Sequence, residues 1–158
     1  HETLIAALAD GANPLERTLA QFAITPDNKS KISGLQSAID RHFAQGSVEA
    51  IVDSLASDKS MFAEETLKSL CSKSPTSLKV AFRQIREGKK LGFEECMTLE
   101  FRLTNRFMRG HDFYEGVRAV IVEKDNAPKW NPPTIDGVAA SAVDAYFAEL
   151  PAGDLAFD

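Results

Sequence analysis

Apolar residues recur along the chain at helical spacing, and each run is closed by glycine, proline or a small polar residue. Leu4, Ile5 and Leu8 form a first short stretch that stops at Asp10-Gly11. Asn13-Pro14-Leu15-Glu16 offers a cap, a proline at the first helical position and a capping-box acid, which predicts a helix to about Phe22. Thr25 to Ser30, with Pro26, reads as a loop. Leu35, Ile39 and Phe43 lie on one helical face that Gly46 closes. Ser47 caps a helix carrying Val48, Ile51, Val52 and Leu55, and a turn at Ser57 to Ser60 leads into Phe62, Leu67 and Leu70.

Ser74-Pro75 repeats the device of a cap followed by proline. The expected buried side of that helix is Leu78, Phe82 and Ile85, and Gly88 ends it. Phe93 to Met108 predicts the longest helix, closed by Gly110, and Asp112 to Glu123 predicts another. Val117 to Val122 is the one β-like run, but its flanks favour helix. The prolines at 128, 132 and 133 impose an irregular arm over about Asp125 to Gly137, and Val138 to Leu150 forms a last helix before a frayed tail. The pattern yields about nine helical segments, no convincing strand and no repeat signature. The predicted fold class is all-α, with short helices stacked as hairpins in one helical domain over 1–158.

Composition narrows the function classes. With 158 residues and 44% hydrophobic content the chain can bury a core. A net charge of −5, with acids and bases interspersed, offers no basic face for nucleic acid and none for anionic lipid. No apolar run is long enough to span a membrane, so no membrane partner is expected. Cys71 and Cys96 lie far apart without metal-ligand spacing, as expected of reduced cysteines in an intracellular compartment. The chain opens at His1 directly in a helical pattern, from which a missing upstream portion is expected.

Catalytic chemistry finds little support in these residues. His1, His42 and His111 are the histidines; His42 and His111 sit beside helix ends, where their charge suits the dipole. There is no G-x-S-x-G elbow, no H-E-x-x-H and no phosphate-cradling glycine loop, so neither a metal site nor a nucleophile is predicted. One position stands out. At 100° per residue, Phe93, Cys96, Met97, Leu103, Phe107 and Met108 share a side with Glu100 in its middle, while Arg102, Asn105, Arg106 and Arg109 lie opposite. A carboxylate in that setting must be paired or protonated. A structural ion pair of Glu100 with Arg118 is the preferred reading, and a catalytic acid is the alternative. The aromatic residues at 82, 93, 101, 107 and 113 read as core.

Four blocks carry a resemblance: Ser74-Pro75-Thr76-Ser77-Leu78-Lys79; Met97-Thr98-Leu99-Glu100-Phe101-Arg102-Leu103; Met108-Arg109-Gly110-His111-Asp112-Phe113-Tyr114-Glu115-Gly116-Val117-Arg118-Ala119; and Glu123-Lys124-Asp125-Asn126-Ala127-Pro128-Lys129-Trp130. In order and spacing the chain resembles the carboxy-terminal part of the enoyl-CoA hydratase/isomerase (crotonase) superfamily, in its 3-hydroxyisobutyryl-CoA hydrolase branch. The resemblance implies a parent enzyme that hydrolyses a short 3-hydroxyacyl-CoA thioester, as in valine breakdown. An enoyl-CoA hydratase or isomerase is the runner-up, and a non-enzymatic helical interaction module the alternative from another class. It further implies that the β/α core, with its backbone oxyanion hole and carboxylates, precedes residue 1, so no catalytic residue is assigned here. This chain would act as a lid and CoA-cleft wall, inactive alone. Its partners would be the missing core, other subunits and acyl-CoA, in a bacterial cytoplasm or mitochondrial matrix. No resident cofactor is implied, since the CoA thioester is substrate. Lys124, with Lys129 behind it, matches the basic residues that approach the CoA phosphate, although relatives often have Lys-Arg where this chain has Lys124-Asp125. Trp130 is expected to anchor the arm against the missing core, and Gly116 to mark close approach of a backbone or ligand.

Overall fold

The computed structural model describes residues 2–23 and 30–157, and every regular element among them is helical. The elements are α1 (Glu2–Asp10), α2 (Leu15–Phe22), α3 (Lys31–Phe43), α4 (Val48–Ser57), α5 (Met61–Cys71), α6 (Pro75–Gly88), α7 (Phe93–Phe107), α8 (His111–Val117) with a π-helical extension (Arg118–Val122), and α9 (Ala140–Phe147). The expected loop at Thr25 to Ser30 falls outside the described residues except for Ser30. No described helix is long and apolar enough to cross a membrane.

Helix starts follow the local chemistry. The Ser47 hydroxyl accepts the Ala50 N–H at 3.1 Å, Ser60 accepts that of Ala63 at 3.3 Å, and Ser74 accepts that of Ser77 at 3.1 Å. Each thereby satisfies a donor that has no partner within its helix. Pro75 opens α6, where its missing N–H costs nothing. At α2 the boundary moves by one residue: Pro14 is itself the cap, without a side-chain hydrogen bond.

Where one helical domain is expected from the sequence, the chain divides into two units at Ser37/Ala38. In the first, α1 packs on α2, Thr18 is buried, and Ile5, Leu8, Leu15 and Leu19 remain exposed. The second holds two apolar clusters. Val80, Leu99, Leu103, Val138, Val143 and Phe147 join α6, α7 and α9. Ile51, Leu55 and Ala63, with Phe62, Leu67, Leu70 and Phe82 against them, join α4, α5 and α6.

Three predicted faces are rotated. On α6 the buried residues are Pro75, Thr76 and Val80, while Ile85 is 67% exposed. A single-stripe reading assumes one partner, whereas α6 has an apolar cluster on either flank, with Val80 in one and Phe82 beside the other. Its long polar side chains then seal the seams: Lys79 pairs with Glu49 at 2.6 Å, and the Arg83 guanidinium lies 4.1 Å from the Phe147 ring centre. On α7 the buried residues are Leu99 and Leu103, and Phe93, Phe101 and Met108 face outward. In α3, His42 rather than Phe43 is buried. The His42 imidazole, 1% exposed, bridges Ser54 Oγ at 2.8 Å and Asp58 Oδ2 at 3.0 Å and so fastens α3 to α4.

Candidate functional site

The most constrained polar geometry gathers where α8 runs into the arm. A row of β-branched residues, Val120, Ile121 and Val122, crowds the end of this helix, and the turn widens by one residue. The Glu123 N–H closes it on the Arg118 carbonyl at 2.8 Å. The chain then reverses through Lys124 (φ 58°) and Asn126 (φ 52°), both non-glycine residues in the left-handed region. Each such residue costs about 1 kcal/mol. A backbone bond from Asn126 N–H to the Ala119 carbonyl, 3.0 Å, offsets part of that cost.

Arg118 is the hub of this turn. Its guanidinium forks onto Glu115, with Nε–Oε2 at 2.8 Å and Nη2–Oε1 at 2.7 Å. Nη1 donates to Asp125 Oδ2 at 2.7 Å and also to Glu123, while Nη2 reaches the Ala127 carbonyl at 3.3 Å. The Arg118 hydrogen bond, followed by one from the Lys129 N–H, holds the Glu115 carboxyl down to about 2. Hydrogen bonds from Arg118 and from the Ala127 N–H lower Asp125 in the same way, and Arg118 is raised in turn, by Glu115 first.

One turn earlier, Asp112 repeats the device. It accepts the Asn131 N–H at 2.9 Å through Oδ1 and the Ser74 hydroxyl at 2.5 Å through Oδ2. Asp112 and Glu115 therefore take two backbone donors of the arm, while Trp130 Nε1 donates to the Ser72 carbonyl at 3.1 Å. The Trp130 ring lies over Gly116, where an added Cβ would meet Cη2 at 3.4 Å. Beside the arm, a largely apolar cleft of ≈ 540 Å³ is lined by Ser77, Val80, Thr104, Phe107, Phe113 and Trp130, among others.

The expected Glu100–Arg118 pair does not form. Glu100 is exposed and accepts a 2.5 Å hydrogen bond from Gln84, while Arg118 is committed to Glu115, Glu123 and Asp125. The physical reason lies in α7, whose apolar arc spans more than half a turn. The packed centre is at Leu99 and Leu103, about 80° from Glu100, so the carboxylate stays in solvent. Trp130 anchors the arm within this chain, and the group close to Gly116 is its ring rather than a backbone or a ligand. Lys124 and Lys129 are exposed on the arm; among the described residues neither ammonium has an ion-pair partner. His111 is exposed and lies 3.1 Å from Asp112. Cys71 and Cys96 are free thiols, and His1 lies outside the described residues. The acidic cluster around Arg118 was missed from the sequence, although Glu115 and Arg118 stand at helical i, i+3 spacing. Glu123 and Asp125 join it only through the widened turn and the left-handed reversal, which no spacing rule gives.

Comparison with known proteins agrees with this architecture. The sequence profile described as enoyl-CoA hydratase/isomerase matches residues 1–147. A mitochondrial 3-hydroxyisobutyryl-CoA hydrolase of Danio rerio is 43% identical over 94% of this chain and 39% of its own length. Its Homo sapiens counterpart is 39% identical over 92% of this chain and 38% of that protein. Among solved structures, an enoyl-CoA hydratase from Rhodobacter sphaeroides superposes with a TM-score of 0.82 at 32% identity, over 99% of this chain and 44% of that one. A carnitinyl-CoA dehydratase from Mycobacterium thermoresistibile gives 0.80 at 29% identity, over 96% and 43%. The chain thus spans about two fifths of the length of these relatives. Matched along nearly its whole length, it belongs to the enoyl-CoA hydratase/isomerase family.

Proposed function

We propose that this chain is the helical cap and CoA-cleft wall of an acyl-CoA thioester hydrolase acting on a short 3-hydroxyacyl-CoA such as 3-hydroxyisobutyryl-CoA. The observation that carries the reading is an apolar band without a cover. Phe93, Phe101 and Met108 of α7, Phe113 of α8, and Val120, Ile121 and Val122 of the π-helical turn all face outward. Large apolar side chains exposed in this number along α7 and the α8 turn are the mark of a surface that meets a partner. The chain spans only about two fifths of its relatives' length, and the β/α core that the resemblance implies for the remainder is the partner that fits it. The apolar cleft beside Trp130, whose lining includes Lys73, suits a ligand that is apolar along its middle and anionic at one end.

The cap supplies walls and charge, and the core supplies the donors that stabilise the developing oxyanion. A mitochondrial matrix location, as in the relatives named mitochondrial, or a bacterial cytoplasm suits such an enzyme. A second reading, an enoyl-CoA hydratase, is favoured by the solved relative of that name at 32% identity.

The test is CoA release, read with a thiol reagent, from 3-hydroxyisobutyryl-CoA. The chain alone should release nothing above buffer, and the chain joined to its upstream polypeptide should turn the thioester over. Turnover by the chain alone would overturn the cap reading. Hydration of crotonyl-CoA without thioester hydrolysis, in the joined protein, would move the assignment to the second reading.

A further inference from the structure

Helix α6 ends on a run of charges, Arg86-Glu87-Gly88-Lys89-Lys90, whose single acid does not meet the cations around it. Glu87 turns away and pairs with Arg83 at 2.6 Å. Among the described residues Arg86, Lys89 and Lys90 have no ion-pair partner. Arg86 is fixed in another way: its guanidinium lies 4.2 Å from the Phe82 ring centre, and Nη2 donates to the Gln45 carbonyl in the turn between α3 and α4. The lysine backbone is held as a turn, with the Lys90 N–H on the Glu87 carbonyl at 2.9 Å and the Leu91 N–H on that of Gly88 at 3.2 Å. The three cations border a groove of ≈ 650 Å³ formed by the end of α3, by α4 and by α6. Ile51 and Phe82 lie in its lining, while Phe43 and Ile85 are open to water at 39% and 67% exposure. The groove shares no residue with the α7–α8 band or with the cleft beside Trp130.

We infer that this groove docks an acidic amphipathic helix of a partner protein, with apolar side chains seated between Phe43 and Ile85 and carboxylates on Arg86, Lys89 and Lys90. The inference does not depend on which acyl-CoA chemistry the parent enzyme performs. Charge complementarity selects the occupant. In a chain of net charge −5, three cations without acid partners on one rim attract an anionic surface and repel a basic one. Nucleic acid needs a longer basic track than three side chains, and an apolar floor offers its phosphates nothing. A small ligand needs polar groups in the floor to orient it, whereas the charged lining here is the cationic rim alone. A groove between helices takes a helix whose anchors at i, i+3, i+4 and i+7 fill it while acids flank them. Attraction to the end of the α6 dipole accounts for two lysines there, but not for the exposed Phe43 and Ile85 beside them.

The experiment uses the full polypeptide and two fluorescein-labelled helical peptides of about four turns. Both carry leucine or phenylalanine at i, i+3, i+4 and i+7; one has glutamate on the flanks and the other lysine. Fluorescence anisotropy reads binding. The glutamate peptide should bind at least about tenfold more tightly than the lysine peptide, and less tightly as salt rises. Lys89→Glu with Lys90→Glu should weaken the glutamate peptide about tenfold and reverse the preference. Ile85→Asp should weaken both peptides. These positions are exposed, so the variants should keep the parent's melting temperature and its thioester turnover. Equal affinity for the two peptides, or full binding in the lysine variant, would overturn the inference, since an apolar patch without charge selectivity would then remain. Full binding in Ile85→Asp would overturn it as well, by reducing the contact to a loose attraction of charges. A parent that binds neither peptide has its groove covered by the upstream polypeptide or by a second copy, and the inference fails.

Discussion

Glu115 concentrates more of the arm's fastening than any other side chain of α8, since it holds both Arg118 and the Lys129 backbone. Its carboxyl ordinarily titrates at 4.5 and here lies at about 2. A folded-state pKa below that of the unfolded chain means stabilisation that is complete above pH 4.5 and is lost as pH falls towards 2. Glu115→Gln should therefore lower stability at neutral pH and flatten the pH dependence across that window, as read from urea midpoints in a pH series. An unaltered acid limb would mean that the contribution comes from Asp125 or Asp154, which are also lowered. Glu100 makes the opposite case. Since Glu100 is exposed and its hydrogen bond from Gln84 lies at the surface, its replacement by Gln should change unfolding free energy by less than about 0.5 kcal/mol. A loss of several kcal/mol would restore the buried pair that the sequence suggests.

Helix α7 shows why elements were legible in the sequence and their faces were not. Its extent over Phe93–Phe107 follows from periodicity, and its start is reinforced by Glu95, whose carboxylate accepts the Gly92 N–H at 2.7 Å. Its apolar arc, however, is wide enough for two partners, and sequence alone cannot say which half is packed within the chain. Leu103→Ala opens a void in the α6–α7–α9 cluster and should cost about 2–5 kcal/mol. Phe101→Ala, on the exposed half, should cost this chain under about 1 kcal/mol. Equal losses in chemical denaturation would mean that α7 is turned the other way. The boundary signals, Ser47, Ser60, Ser74-Pro75 and Gly88, were read correctly because they depend only on adjacent residues. The π-helical turn and its left-handed exit escaped notice because they arise from crowding and from a hub six to eight residues before that exit.

For the molecule as a whole, the clusters inside residues 38–158 leave a large apolar surface unused, and family membership gives that surface a direction. Polar replacements there have opposite expected effects in two contexts. Phe93→Ser with Ile121→Thr, at positions 77% and 65% exposed, removes hydrophobic area that water touches in this chain. Solubility of the chain should rise, binding of a hydrophobic dye should fall, and the melting temperature should hardly move. In the full polypeptide the same pair should lower stability by about 2–4 kcal/mol, the amount expected when two large side chains lose a buried apolar contact. Calorimetry of both proteins, parent and variant, measures this difference of differences. A loss of stability in the full polypeptide alone assigns the band to the core. Equal small effects in both contexts would leave the band open to a separate partner, and equal large effects would mean that the band packs within this chain.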